Sequence, residues 1–507
     1  MDKLLPRPFS LTFHLANKHM KIHRYILLTL VGWMIISSCT SDFDEINTNP
    51  NDPTNISPQF LLPYAIESSV DRYWGHRTRF ERLNLDGAML WMQYLARNIY
   101  SNEGDNYSIS PALHANNWKG FYNDGLVNFE RIVTLASTEG TMPNTNYEGV
   151  ALVMRSWVFS ILTDSYGAIP YSQALKGTAK DAIASPEYDS QEEVYAGLLN
   201  DLKMANEKLV VGGPAIAGDI LYSGDILKWK KFANSLRLRL ANRQAAKKPA
   251  ESRAIMAEIL ADPAMYPVFT SNADNASLKH TSTLPSNNEW HQVMVQDGRT
   301  DWNISQTLAD KLNSLNDTRI TVFGEPNTSG QYSGIPNGLP DAIATTYLST
   351  ASKLGNYFMQ PSTPSVIMTF AELQFVLAEA AVDGDISVGD AQTYFEQGID
   401  ASFKQYELTV PQGYLATVGT ATKENIMEQK WIALFGQGVE AWTEYRRTGL
   451  PVFPARDPRA VFDNNGVLPT RLRYPSSEES LNGANMRTGI SLNGGDNDMV
   501  TTLWWTE

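Results

Sequence analysis

The chain has 507 residues, with 41 Lys and Arg against 55 Asp and Glu, a formal net charge of −14. That acidic balance argues against nucleic acid as a partner, because affinity for phosphate backbones comes from clustered cations. A single cysteine, Cys39, excludes an internal disulfide framework.

In chain order, Lys21, His23 and Arg24 come before twelve mostly apolar residues, Tyr25 to Ile36, and the small pair Ser37 and Ser38. This is the layout of a secretory signal peptide. Twelve helical residues cover only about 18 Å of a hydrocarbon core roughly 30 Å thick, so a permanent span is not expected. The signal is assigned to residues 1–38, and Met20 would open an ordinary signal peptide by itself. Ile36-Ser37-Ser38-Cys39 resembles a bacterial lipobox, which makes Cys39 the lipidation site and the mature N-terminus. Each buried CH₂ of an acyl chain contributes about 0.8 kcal/mol, so several chains anchor a protein stably. Asp42, Asp44 and Glu45 resemble a surface-export signal of Gram-negative lipoproteins, although a short acidic linker looks the same. Residues 39–58, rich in Asn and Pro from Asn47 onward, read as a tether. Without residues 1–38 the chain keeps 36 cations, 54 acids (formal −18) and eleven tryptophans.

The remainder, residues 59–507, reads as a single domain dominated by helical periodicity. Apolar residues recur at helical spacing from Gln59 to about Tyr100 and again from Trp118 to Leu135, and Tyr147 to Tyr166 is a third helix. Ser190 and Glu193 form a capping box ahead of Val194, Leu198, Leu202, Ala205 and Leu209 on one face. Lys228 to Arg243 is a helix expected to carry its cations on the exposed side. Phe370, Leu373, Leu377 and Ala380 line another, which Asp383-Gly384-Asp385 separates from Phe395, Ile399, Phe403 and Tyr406. A last helix is expected from about Glu424 to Phe435. The fold class is therefore mostly α, a stack of helix pairs over about 59–261 and 365–448. An irregular lobe rich in Asn, Ser, Thr, Gly and Pro covers about 262–364 and 449–507.

Several motifs recur in a recognisable order: Leu162-Thr-Asp-Ser-Tyr-Gly-Ala-Ile-Pro-Tyr171, Gly224-Asp-Ile-Leu-Lys-Trp229, Phe370-Ala-Glu-Leu-Gln-Phe375, Gln429-Lys-Trp431, Glu440-Ala-Trp-Thr-Glu-Tyr-Arg-Arg447 and Arg471-Leu-Arg-Tyr-Pro475. Together with the lipobox they resemble the SusD/RagB family of nutrient-binding outer-membrane lipoproteins, and within it the SusD-like subgroup. Asn316-Asp-Thr-Arg319 and Ala168 depart from the family pattern, in which Asp-Pro-Arg and an acid are common. The resemblance implies four tetratricopeptide-like helix pairs, a ligand-facing lobe, and a surface location over a SusC-like, TonB-dependent β-barrel transporter. It also implies capture of oligosaccharides or peptides for delivery into that barrel, without cleavage.

Most motif residues read as architecture. Trp229 and Trp431 sit at core spacing, Glu372 and Glu379 suit helix pairing, and Arg446 and Arg447 suit structural ion pairs. Binding is sought among loop aromatics flanked by amides, since a sugar offers an apolar C–H face and a hydroxyl rim. Three stretches fit: Tyr73, Trp74 and His76; Asn102, Asn106 and Tyr107; and Asn287, Trp290 and His291 with Trp302 beyond. Packing beneath a loop would use the same residues. No cofactor, metal or catalytic residue is assigned. After the leader only His76, His114, His280 and His291 remain, with no H-E-x-x-H, nucleophile elbow or P-loop. Two rival readings stay open on the residues alone: a surface-anchored hydrolase using two carboxylates, and a helical-repeat assembly or adhesion scaffold with no small ligand.

Overall fold

A proline in the first turn of a helix gives up an N–H that has no partner there anyway, and the scaffold starts this way. Helix α1 runs from Pro58 to Trp74 behind Ser57. The structure, a computed structural model, describes residues 56–75, 78–177, 182–387 and 389–506. The signal peptide, Cys39 and all of the tether up to Asn55 lie outside the described residues, as does His76.

After α1 come strand β1 (Leu95–Arg97), α2 (Pro111–Gly120), a π turn over Phe121–Leu126, and α3 (Val127–Ala136). Then follow α4 (Thr145–Tyr166), α5 (Gln191–Lys208), α6 (Ile226–Arg243) and α7 (Pro249–Ala261). The capping box at the start of α5 is present in both directions: the Ser190 side chain accepts from the Glu193 N–H, and Glu193 accepts from the Ser190 N–H at 2.9 Å. The lobe holds β2 (Ala276–Leu278), β3 (Trp302–Ile304), α8 (Gln306–Leu315) and β4 (Ser365–Met368). The scaffold resumes with α9 (Phe370–Val382), α10 (Ala391–Lys404), α11 (Lys423–Ala433) and α12 (Gly438–Thr448). Last comes α13 (Ser476–Leu492), a helix inside a stretch expected to be irregular. Its Ser, Asn and Gly content leaves no apolar stripe to read. No described helix is long and apolar enough to cross a membrane.

Consecutive helices pack as neighbours: α3 on α4, α4 on α5, α5 on α6, α6 on α7, and α9 on both α10 and α11. The chain thus has a mostly helical, tetratricopeptide-like scaffold. The α9–α10 pair closes around Phe375, Phe395, Ile399 and Phe403. Gly398 allows this approach, since a Cβ there would stand 2.8 Å from the Phe375 ring.

One expectation needs correction. The arginines of α6 do not face solvent; Arg237, Arg239 and Arg243 are buried. Arg243 pairs with Asp164 of α4 at 2.7 Å and with Glu440 and Glu444 of α12. Arg239 meets Glu372 of α9 at 2.6 Å. Glu379, also on α9, pairs with Arg447 at 2.7 Å, and Glu444 joins Arg447 at 2.6 Å and Lys430 of α11 at 2.8 Å. Burial works against the Glu444 charge, but Arg447, Lys430 and Arg243 override it and hold the carboxyl well below its ordinary range. Arg446 lies 3.5 Å over the Trp442 ring and donates to the Asp164 and Thr470 carbonyls. Glu372, Glu379, Arg446 and Arg447 are therefore structural.

Breaking one member of a buried ion cluster strands its partners, at a cost of about 3–5 kcal/mol. Glu444→Gln should lower the urea midpoint of unfolding accordingly. Asp400→Asn, at the exposed Asp400–Lys404 pair, should change stability by less than about 1 kcal/mol.

Candidate functional site

The three aromatic stretches singled out from the sequence adjoin one another in space. Strand β1 pairs antiparallel with β3, Leu95 opposite Ile304 and Arg97 opposite Trp302. The ladder extends to the Asn98 N–H, which donates to the Asp301 carbonyl at 2.9 Å. This brings the loop after β1 (98–107) beside the loop before β3 (295–301). The turn after α1 joins them through an ion pair between Arg79 and Glu103.

Most of the aromatics named in advance lie under this face rather than on it. Tyr73 is buried edge-on against Trp157 at 5.3 Å. Trp74 and Trp290 pack at 5.2 Å, the Trp290 indole N–H donating to the Trp74 carbonyl. Trp302 is buried beneath the guanidiniums of Arg97 and Arg82, at 4.5 and 5.4 Å from its ring. As ligand contacts these four residues are corrected: their large apolar areas stabilise the support, which leaves the tips to other side chains. Asn287 is buried too, and neither polar atom of its carboxamide has a hydrogen-bond partner among the described residues. His291 is half-buried and its Nδ1 lies 2.8 Å from the Met359 carbonyl. Asn102 is exposed, whereas Asn106 and Tyr107 are buried, Tyr107 packing on Phe462 at 4.7 Å.

The aromatic residue of this loop that does reach solvent is Tyr100, 40% exposed. Its backbone is left-handed (φ 60°), a conformation that a bulky residue adopts only when its surroundings hold it there. The hold is visible. The Ser101 N–H and hydroxyl both donate to one Asp341 carboxylate oxygen at 2.8 Å. Arg79 and Arg299 lie 5.3 and 5.6 Å from the Tyr100 ring, within cation–π reach. Arg299 is in turn paired with Asp301, which also accepts from buried Arg97 at 3.0 Å. Asp86 accepts from both Arg97 and Arg82 at 2.8 Å and so ties the support together. The face thus offers a flat ring, two partly exposed guanidiniums and the exposed Asn102. Sequence reasoning bracketed Tyr100 without naming it, because strands three residues long carry no readable alternation.

Behind the tip, Gly104 is obligatory, since a Cβ would fall 1.7 Å from the Asp86 carbonyl oxygen. Next to it, Asp105 accepts from the Arg97 N–H at 3.1 Å and from Asn337 at 2.6 Å. Burial nevertheless pushes its carboxyl up to about 6. Among the described residues no cluster of His, Cys, Asp and Glu could hold a metal ion. Asp498 closes a turn, accepting from the Val500 and Thr501 N–H groups.

For comparison, the SusD-like_2 family profile, described as "Starch-binding associating with outer membrane", matches residues 50–475. A solved chitin-binding protein is 29% identical, with 89% of this chain and 99% of that one covered at a TM-score of 0.78. A SusD homologue from Bacteroides uniformis is 26% identical over 88% and 99% of the two chains, at a TM-score of 0.76. A chitin-binding SusD homologue from Flavobacterium johnsoniae has the same fold at 24% identity, a TM-score of 0.75, and coverage of 88% and 98%. A search of the curated proteins finds none that matches.

A raised carboxyl favours the folded state in acid, and that contribution fades as pH climbs through the folded-state value. For Asp105 the loss runs from the ordinary aspartate value up to about 6 and is nearly complete above it. It should amount to roughly 2–3 kcal/mol between pH 4 and pH 8. Asp105→Asn should flatten that part of the stability–pH curve, as read by denaturant titrations of both proteins across the range.

Proposed function

The chain belongs to the SusD-like family of outer-membrane nutrient-binding proteins, and from that premise we propose that it captures oligosaccharides on the Tyr100 face and hands them, uncleaved, to a SusC-like TonB-dependent β-barrel. The observation that carries this reading is Tyr100, an exposed ring held in left-handed backbone with two guanidiniums within cation–π reach. A pyranose can lay its C–H face on the ring while Arg79, Arg299 and Asn102 hydrogen-bond its hydroxyls. A glycan suits this better than a peptide, because the flat ring and partly exposed guanidiniums provide no deep side-chain pocket. The relative at 29% identity is described as chitin-binding, which makes chito-oligosaccharides the first probe.

Capture without cleavage agrees with the carboxylates of the helical core: Glu372, Glu379, Glu440 and Glu444 are all committed to ion pairs. Lipidation at Cys39 would hold the domain at the outer membrane, facing the cell surface, through the tether of residues 39–58.

Calorimetric titration with chitohexaose, maltohexaose and a peptide digest tests the ligand class. Tyr100→Ala should weaken oligosaccharide binding at least about tenfold, the equivalent of about 1.4 kcal/mol; unchanged affinity would remove the face from the reading. Extraction in mild detergent should bring a large β-barrel along with the protein. Cys39→Ala should move the protein from the membrane fraction to the soluble one, and persistence in the membrane would refute the anchor.

A further inference from the structure

The buried end of the 98–107 loop opens onto a different feature. Segment 450–468 lies across α8 and the start of the α11–α12 region, and three adjoining cavities of about 270, 380 and 240 Å³ lie beneath it. Pro454 lines all three, Tyr107 and Arg456 line the first and third, Asp310 the first and second, and Phe453 the second and third, so they adjoin as one cleft. None of the lining residues belongs to the Tyr100 face.

The chemistry of the cleft is specific. Phe453 lines two of the cavities and is backed by Tyr445, the rings nearly parallel (18°) at 5.1 Å, and Trp431 meets it edge-on at 5.8 Å. A half-buried ring fixed in this way is a platform that cannot collapse into the core. Arg456, exposed, lies 4.4 Å over Phe462 and reaches the Tyr107 hydroxyl at 3.4 Å. Across from it, Gln306 and Asp310 of α8, both exposed, line the cleft, and their side chains have no hydrogen bond to the described residues. Lys311 and Glu428 neutralise each other across the adjoining cavity at 2.6 Å.

This set selects a class of ligand. Lys311 is paired with Glu428 and Asp457 with Arg459, so the remaining charges lining the cleft are Asp310 and Arg456, whose opposite signs favour neither an anion nor a cation. An apolar guest would leave the carboxylate and amides without partners, at about 1–3 kcal/mol each. A neutral polyhydroxylated ring satisfies both the platform and the rim. We propose that the cleft beneath segment 450–468 is a second carbohydrate subsite, in which Phe453 supports the C–H face of a pyranose and Asp310, Gln306 and Arg456 take its hydroxyls. The inference rests on the oligosaccharide reading of the protein but places this ring apart from Tyr100. Two such sites on one domain would let a long chain bind by avidity, since the second contact becomes intramolecular.

The test is calorimetry on the full-length protein in detergent with chitohexaose, maltohexaose and cellohexaose, comparing wild type, Tyr100→Ala, Phe453→Ala and Asp310→Ala. Asp310 is exposed, so its variant keeps the fold if Phe453→Ala does not. The expected result is two classes of site in the wild type. Asp310→Ala and Phe453→Ala should lower the affinity of one class about tenfold and leave the other, while Tyr100→Ala should do the reverse. A single class that is lost in Tyr100→Ala and unchanged in Asp310→Ala would overturn the second subsite and leave the proposed function intact. No binding of any of the three saccharides by the wild type would overturn both.

Discussion

Everything in this protein hangs on a cluster of buried charges where α4, α6, α9, α11 and α12 meet. Removing so many ions from water is costly, and the cost is recovered only if every charge has a partner at close range. Asp164, Glu372, Glu379, Glu440 and Glu444 oppose Arg239, Arg243, Lys430 and Arg447, with Arg446 stacked on Trp442 at the edge. Apolar packing would tolerate small slips between helices; this arrangement does not. The cluster also holds the end of the chain, since the indole N–H of Trp505 donates to Asp164 at 2.9 Å. A helical stack that could slide is thereby fixed in one register.

The same logic recurs at smaller scale beneath the candidate face. Arg97, Arg82, Asp86 and Asp301 form a local charge cluster around Trp302. The buried aromatic area supplies stability, the ion pairs supply direction, and the exposed tip inherits both. Tyr100 can therefore occupy an unfavourable backbone region without a helix or long strand of its own. Binding surfaces prepared in this way lose little conformational freedom on meeting a ligand.

The helices were legible in the sequence because their determinants are local: Ser190 and Glu193 are three residues apart, and the Phe395, Ile399, Phe403 stripe lies within little more than two helical turns. The facing of α6 was not. Its arginines read as solvated until the carboxylates of α4, α9 and α12 are brought beside them, and those lie 79 to 201 residues away. The site was legible as a neighbourhood, since Asn102, Tyr107 and Trp302 bracket the loops that meet. Its exposed member is not legible because Tyr100 owes its exposure to a pairing of two three-residue strands whose partners lie 205 to 209 residues apart. Aromatic residues near loops announced the place, and burial then sorted platform from support.

That pairing is made by main-chain groups: Leu95 with Ile304, Ala96 with Asn303, and the Asn98 N–H with the Asp301 carbonyl. Backbone hydrogen bonds do not depend on which side chains project beyond them. The tips at 99–100 and 295–300 can therefore exchange residues over evolutionary time while their supports stay in register. A bacterium meeting a new polymer could retune such a receptor by a few substitutions in two adjoining loops, leaving the helical scaffold untouched.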